Sequence, residues 1–317
     1  MKNERKREVV VITGAGAGLG RATVREFARH GADIGLIARG ADRLEAARAE
    51  VEQCGGRALV SPADVADANA VEAAAERIES GLGPIAIWVN VAMATVFGYF
   101  TDIAPEDFRR VTEVTYLGNV YATQAALKRM QPRNFGTIVQ VGSALAYRSV
   151  PLQSAYCGAK HAIQGYTESI RSELLKSKSR VHLTIVEMPA LNTPQFDWCK
   201  NTMAKRARPV APVFQPEVGA RAIYWAAHHR RRQLYVGFPA VKAIWANKFI
   251  PGILDRMLVS AIAGQQTDQS EDANRPFNLY DPVAGDTGAH GRFDDESRTR
   301  SLELWFATHL LPSKTSH

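Results

Sequence analysis

Residues 9–13 read VVVIT, a β-branched run without polar alternation, and they lead straight into the glycine loop TGAGAGLG at residues 13–20. A strand that does not alternate is apolar on both faces, as strands are in a parallel sheet covered by helices. Gly14 lets the chain turn sharply out of that strand, Gly18 leaves room for a phosphate group close to the backbone, and Gly20 lets the following helix pack tightly. That helix carries Leu19, Ala22, Val24, Phe27 and Ala28 at helical spacing and stops at Gly31. Its N-terminus then faces whatever anion the loop holds. The same unit recurs along the chain: ADIGLIA, RALVSP, IAIWVN, GTIVQVG, VHLTIVEM and finally LYVG at 234–237 read as further strands separated by helical stretches. The pattern predicts an α/β fold, a doubly wound Rossmann-type parallel sheet of about seven strands with right-handed crossovers.

With 317 residues, 46% of them hydrophobic, the chain has ample material for one such core. We read residues 1–238 as one dinucleotide-binding catalytic domain and 239–317 as an extension: an amphipathic helical segment at 239–264, broken at Pro251, then a loop-rich tail at 265–317. The formal charge of +7 does not point to nucleic acid, because the basic residues are scattered, with only KNERKR at 2–7 and HHRRR at 228–232 clustered. Three cysteines, Cys54, Cys157 and Cys199, are too few and too far apart for a disulfide framework or a zinc site, and no metal is expected. Cys157 reads as a small buried filler. His290 has no Cys/His partners at ligand spacing. An early first strand and the lack of a long apolar run suggest a cytoplasmic protein.

Chemistry enters with Tyr156 and Lys160 in SAYCGAKHA, and with Ser143 thirteen residues upstream at the end of an apolar strand. Residues at i and i+4 share a helix face, so the Lys160 ammonium can lie beside the Tyr156 phenol and lower its pKa. A Tyr-x-x-x-Lys pair alone is weak. A glycine loop, a strand-end Ser and the pair, in that order, suit nicotinamide-dependent carbonyl/alcohol chemistry.

In these features the chain resembles the short-chain dehydrogenase/reductase family, whose TGxxxGxG loop is matched at Gly14, Gly18 and Gly20 and whose catalytic set is matched by Ser143, Tyr156 and Lys160. The resemblance runs from about Val9 to Gly237. It implies a cofactor site built from Gly14, Gly16, Gly18, Leu19, Gly20, Arg39, Asp64, Val65, Asn90, Tyr156, Lys160, Pro189 and Thr193, with Asp64 near the adenine and Thr193 at the nicotinamide carboxamide. It also implies a mechanism: Ser143 and Tyr156 hold a substrate carbonyl, the reduced cofactor delivers hydride, Tyr156 donates the proton, and Lys160 holds the ribose. The chain departs from the family in three places. Met93 and Ala190 stand where glycines are usual, and Thr115 takes the position of a catalytic Asn that serves the proton relay.

At the end of the second strand, where an NAD site places a carboxylate, the chain has Ala38 and Arg39. A guanidinium would clasp a 2′-phosphate, so NADP(H) is favoured over NAD(H). Residues 194–214, with Phe196, Trp198, Met203 and Phe214, read as a substrate lid suited to a hydrophobic ketone, aldehyde or secondary alcohol. The segment at 239–264 is expected to cover the site, to dimerise or to lie on a membrane surface, in that order of preference. A homodimer or homotetramer is the expected assembly. A different class stays open: a dinucleotide-binding regulatory or scaffold protein that keeps the fold without turnover.

Overall fold

The VVVIT run becomes β1 (Val9–Thr13), and its residues divide between two cores with the period of a strand. Val10 and Ile12 pack in one hydrophobic layer, Val9 and Val11 in the other. Such double burial explains why Val9–Ile12 are all aliphatic, with the one polar residue, Thr13, at the strand's end. In the computed structural model, which describes residues 7–237, 247–310 and 314–315, six more strands join it: β2 (Asp33–Ala38), β3 (Ala58–Pro62), β4 (Ile85–Asn90), β5 (Thr137–Ser143), β6 (His182–Met188) and β7 (Gln233–Tyr235). They form a seven-stranded sheet in the order β7-β6-β5-β4-β1-β2-β3, every neighbouring pair parallel. The winding direction reverses between β1 and β4. In open sheets of this kind that reversal opens a crevice at the carboxyl ends of the strands.

Helices α1 (Gly18–Arg29) and α2 (Ala41–Gln53) cover one face, together with α7 (Pro216–His228). On the other face lie α3 (Ala68–Leu82), α5 (Gly118–Arg133) and α6 (Ser154–Lys176), packed around Trp88, Ile138 and Ile78. Burying each of the two isoleucine side chains contributes roughly 1.5–3 kcal/mol. Helix α4 (Pro105–Thr112) runs into α5 through a π-helical turn at Glu113–Leu117, which places Thr115 in the protein interior. Such single turns inside helices occur often at functional sites.

The tail holds more regular structure than its Asp-, Asn-, Gly- and Ser-rich composition predicts. Strand Gln266–Ser270 pairs antiparallel with Lys205–Ala207, and Ser297–Arg298 pairs with Val213–Phe214. These pairings use backbone groups on short edges, which leave no periodic signature in the side chains. Helix α9 (Leu302–His309) places Leu304 in the main core. Of the segment at 239–264, residues 239–246 lie outside the described residues; the rest contains α8 (Pro251–Gly264), which begins at the proline as an N1 residue. Leu254, Leu258 and Ile262 are half-buried on its inner side, whereas Ile253 and Met257 are exposed. Among the described residues no helix is long and apolar enough to cross a membrane.

Candidate active site

The crevice is floored by the glycine loop. Gly14 has a φ of 71°, and a Cβ there would lie 2.9 Å from the backbone of Ala92. Thr13 holds the same stretch from beneath, its Oγ1 accepting from the amides of Val91 at 3.1 Å and Ala92 at 3.2 Å. A Cβ on Gly20 would fall 2.0 Å from the Gly14 carbonyl oxygen. The loop therefore fits only with hydrogen at both positions, and it delivers the α1 N-terminus to the cavity.

That cavity has a volume of about 480 Å³. Its wall brings together Gly14, Gly16, Gly18, Leu19, Gly20, Arg39, Asp64, Val65, Ser143, Tyr156, Lys160, Pro189 and Thr193, residues scattered over 180 positions of sequence. Two expected site residues lie outside it. Asn90 is buried beneath the crevice, its amide donating to Thr123 Oγ1 at 3.0 Å and Gln140 Oε1 at 2.9 Å and its Oδ1 accepting from Trp88 Nε1. Thr115 spends its hydroxyl on Ala94, donating to the carbonyl at 2.8 Å and accepting from the amide at 2.9 Å. It ties the loop after β4 to the π-helical turn, and its neighbour Val114 reaches the cavity instead.

Ser143 ends β5, with Oγ accepting from the Leu145 amide at 3.2 Å. Across from it, α6 presents Tyr156 and Lys160 one turn apart. The Lys160 Nζ lies 5.5 Å from the Tyr156 ring centre and donates to the Val141 carbonyl at 2.7 Å. Burial lowers its pKa to about 8, opposed by the carboxylate of Glu187. Tyr156 departs from the simple expectation. Burial pushes its phenol up from the ordinary value, with the Ser143 hydroxyl pulling the other way. The ammonium is directed at a backbone carbonyl rather than at the phenol oxygen, so the pair's mutual stabilisation does not outweigh desolvation.

Glu187 escaped notice in the sequence because a single carboxylate in VHLTIVEM breaks no pattern. It stands on β6 opposite Gly142, fully buried, and a Cβ on Gly142 would collide with its Oε2. Its Oε1 accepts from Tyr147 Oη at 3.1 Å and Gln233 Nε2 at 2.6 Å, while Oε2 has no hydrogen-bond partner among the described residues. Burial raises its pKa to about 7, against the pull of Gln233, Tyr147 and Lys160.

At the opposite end of the cavity Arg39 is engaged by the chain's own tail. Its guanidinium donates to the carbonyls of Asn278, Leu279 and Tyr280. Asp64 accepts from the Ala66 amide at 3.0 Å and pairs with Arg110. Arg43, four residues after Arg39, also lines the cavity and stacks over Trp198 at 4.5 Å. The apolar end is closed by Leu145, Val150, Phe196, Pro212 and Leu258, the last from α8. Of the apolar side chains expected in the lid, Phe196 and Trp198 line the cavity; Phe214 is buried in the core, and Met203 packs on a small cluster around Phe97. Among the described residues no three His, Cys, Asp or Glu side chains are grouped to hold a metal ion.

Several known proteins are similar to this chain. A family model described as short chain dehydrogenase matches residues 8–201. An uncharacterized oxidoreductase, YxnA, of Bacillus subtilis is 34% identical over 95% of this chain and 84% of its own. A 3-dehydrosphinganine reductase of Danio rerio is 31% identical over 68% of this chain and 66% of its own. Among solved structures, an actinorhodin polyketide ketoreductase with NADPH has a TM-score of 0.57 at 27% identity, over 59% of this chain and 72% of that one.

Proposed function

This chain belongs to the short-chain dehydrogenase/reductase family of oxidoreductases, and on that footing we propose that it is an NADP(H)-dependent reductase of hydrophobic ketones or aldehydes, or the reverse dehydrogenase of secondary alcohols. The observation that carries this reading is the single cavity into which Ser143, Tyr156 and Lys160 project beside the glycine loop. The residues present suit a dinucleotide. A glycine-only loop at a helix N-terminus suits a pyrophosphate, Arg39 and Arg43 offer positive charge where a 2′-phosphate would lie, and Thr193 and Pro189 border the inner end. When bound, the reduced nicotinamide supplies a hydride.

The protein's own share is orientation and proton transfer. Ser143 Oγ and Tyr156 Oη donate hydrogen bonds to the carbonyl oxygen and polarise it. As negative charge develops there, Tyr156 Oη releases its proton to that oxygen. The Lys160 ammonium stabilises the resulting phenolate. A buried phenol with a raised pKa is a poor base but a well-protonated acid, which suits the reductive direction near neutral pH. Apolar residues at the far end favour a greasy substrate, and the relative named 3-dehydrosphinganine reductase and the ketoreductase with NADPH support that choice of substrate and cofactor.

The test is NADPH oxidation by the purified protein with a panel of long-chain and cyclic apolar ketones and aldehydes, repeated with NADH. We expect turnover with NADPH on the apolar members. Tight NADPH binding without consumption across the panel would favour instead the regulatory or scaffold reading, in which the fold serves as a sensor.

A further inference from the structure

Residues 278–288 lie outside the stretch matched by the family model, yet they fold back over the adenosine end of the cavity. Asn278 and Pro282 form part of its wall. What this strap offers the cavity is a row of backbone carbonyls, met by arginine guanidinium groups and by the amide that opens α1. Arg39 donates to the carbonyls of Asn278, Leu279 and Tyr280. Arg110 Nε donates to Leu279 O at 3.1 Å. Arg43 Nε donates to Gly285 O at 2.7 Å, and its terminal nitrogen to Val283 O. The amide of Gly18, at the start of α1, donates to Gly288 O at 3.0 Å. The groups that the cofactor reading assigns to the 2′-phosphate and the pyrophosphate are thus occupied by the chain's own oxygen atoms.

We propose that residues 278–288 are a specificity-setting strap whose carbonyls hold the place of phosphate oxygens on Arg39 and Gly18, and which NADP(H) displaces on binding. The inference rests on the NADP(H) reading of the site. A phosphate dianion brought to Arg39 meets three carbonyl oxygens on the same guanidinium edges. The two sets of acceptors exclude one another electrostatically. A ligand without a 2′-phosphate has no group to win Arg39 back and leaves most of the strap in place. The strap therefore discriminates by how much ligand charge is offered for its release, since binding energy is diminished by the cost of populating the competent state.

Two side chains pin the strap from outside the cofactor groups. The Tyr280 hydroxyl donates to Asp107 Oδ1 at 2.9 Å, and Asp286 accepts from Arg21 at 3.4 Å. Removing them loosens the strap without touching the cavity's phosphate donors. Asp107 keeps its ion pair with Lys200 at 2.7 Å, and Arg21 keeps Glu50 at 2.8 Å, so both variants retain the surrounding fold.

The experiment is NADPH and NADH titration by fluorescence on the full chain and on Tyr280→Phe, Asp286→Asn and the double variant, with hydrogen exchange of residues 278–288 measured with and without saturating NADPH. The expected result is a Kd for NADPH lowered about threefold to tenfold in the double variant, with a smaller gain for NADH, and faster exchange of the strap amides when NADPH is bound. Unchanged or weaker NADPH binding in the variants, or strap amides that NADPH protects, would overturn the strap as a competitor while leaving the cofactor reading intact. Failure of the unaltered chain to bind NADPH at all would remove that reading and the strap's role together.

Discussion

Two charged residues in the site pull stability and function in opposite directions. Glu187 ionises with a pKa raised to about 7, above its ordinary carboxylate value, so the folded protein binds more protons than the unfolded chain between those two values. Its contribution to stability is therefore full below the unfolded pKa and declines as pH rises through about 7. Glu187→Gln removes that decline and should raise the Tm at pH 8 while changing it little at pH 4. Catalysis should respond the other way. Lys160, lowered by burial to about 8, is held up by the Glu187 carboxylate, so the glutamine variant should move the alkaline limb of kcat to lower pH. A limb that stays in place would separate Glu187 from the lysine. Arg39→Ala belongs to the same scale. Charge-assisted contacts are worth about 1.5–3 kcal/mol, so NADPH affinity should fall at least tenfold while NADH affinity falls much less. Equal losses in direct binding assays would assign Arg39 to the fold.

Among the elements, what could be read from the sequence was whatever repeats with a period. All seven strands of the main sheet and the helix after the glycine loop are legible in their apolar pattern: the inner strands are buried on both faces, and the edge strands β3 and β7, only part-buried, still turn Val60 and Leu234 toward the core. Ser143, Tyr156 and Lys160 were legible through order and spacing, and the structure places them around one cavity. Legibility failed where position depends on partners far along the chain. Nothing local announces that Asn90 turns into a buried amide network, that Thr115 closes on Ala94, or that Arg39 meets carbonyls 240 residues away. The π-helical turn was equally hidden: residues 113–117 have an ordinary helical pattern, and Gly118, just after them, packs so close to Val65 that a Cβ would lie 2.7 Å from Val65 Cγ2. The glycine loop gives the sharpest prediction for an element. Gly20→Ala places a methyl group against the Gly14 carbonyl and must push the loop outward, costing about 1–3 kcal/mol of stability and at least tenfold in NADPH affinity. Thermal melts and cofactor titration would show both, and wild-type values for both would mean that the loop is not the cofactor's seat.

For the whole molecule, the tail is woven into the site rather than appended to it. Gln265 is buried, bonded to Gln153 at 2.9 Å and Pro151 O at 3.1 Å just before α6, and Asn192 joins Asp294 at 2.8 Å beside Thr193 of the cavity wall. Truncation after Gly237 removes these contacts together with Leu258 and Leu304, so the shortened chain should lose most turnover and expose apolar surface, which its solution mass and stability would record. If turnover and mass were unchanged and only liposome flotation of the intact protein were lost, α8 would instead be a membrane-surface anchor. The proposed reduction depends on one proton. Tyr156→Phe keeps the ring and the wall of the cavity but removes the only group proposed to deliver that proton, so measuring kcat and the NADPH dissociation constant side by side is the most direct test. We expect NADPH affinity within about twofold of the parent protein and kcat lower by roughly 100-fold or more, the usual share of general acid catalysis. A phenylalanine variant that reduces the same carbonyl at a comparable rate would contradict the account.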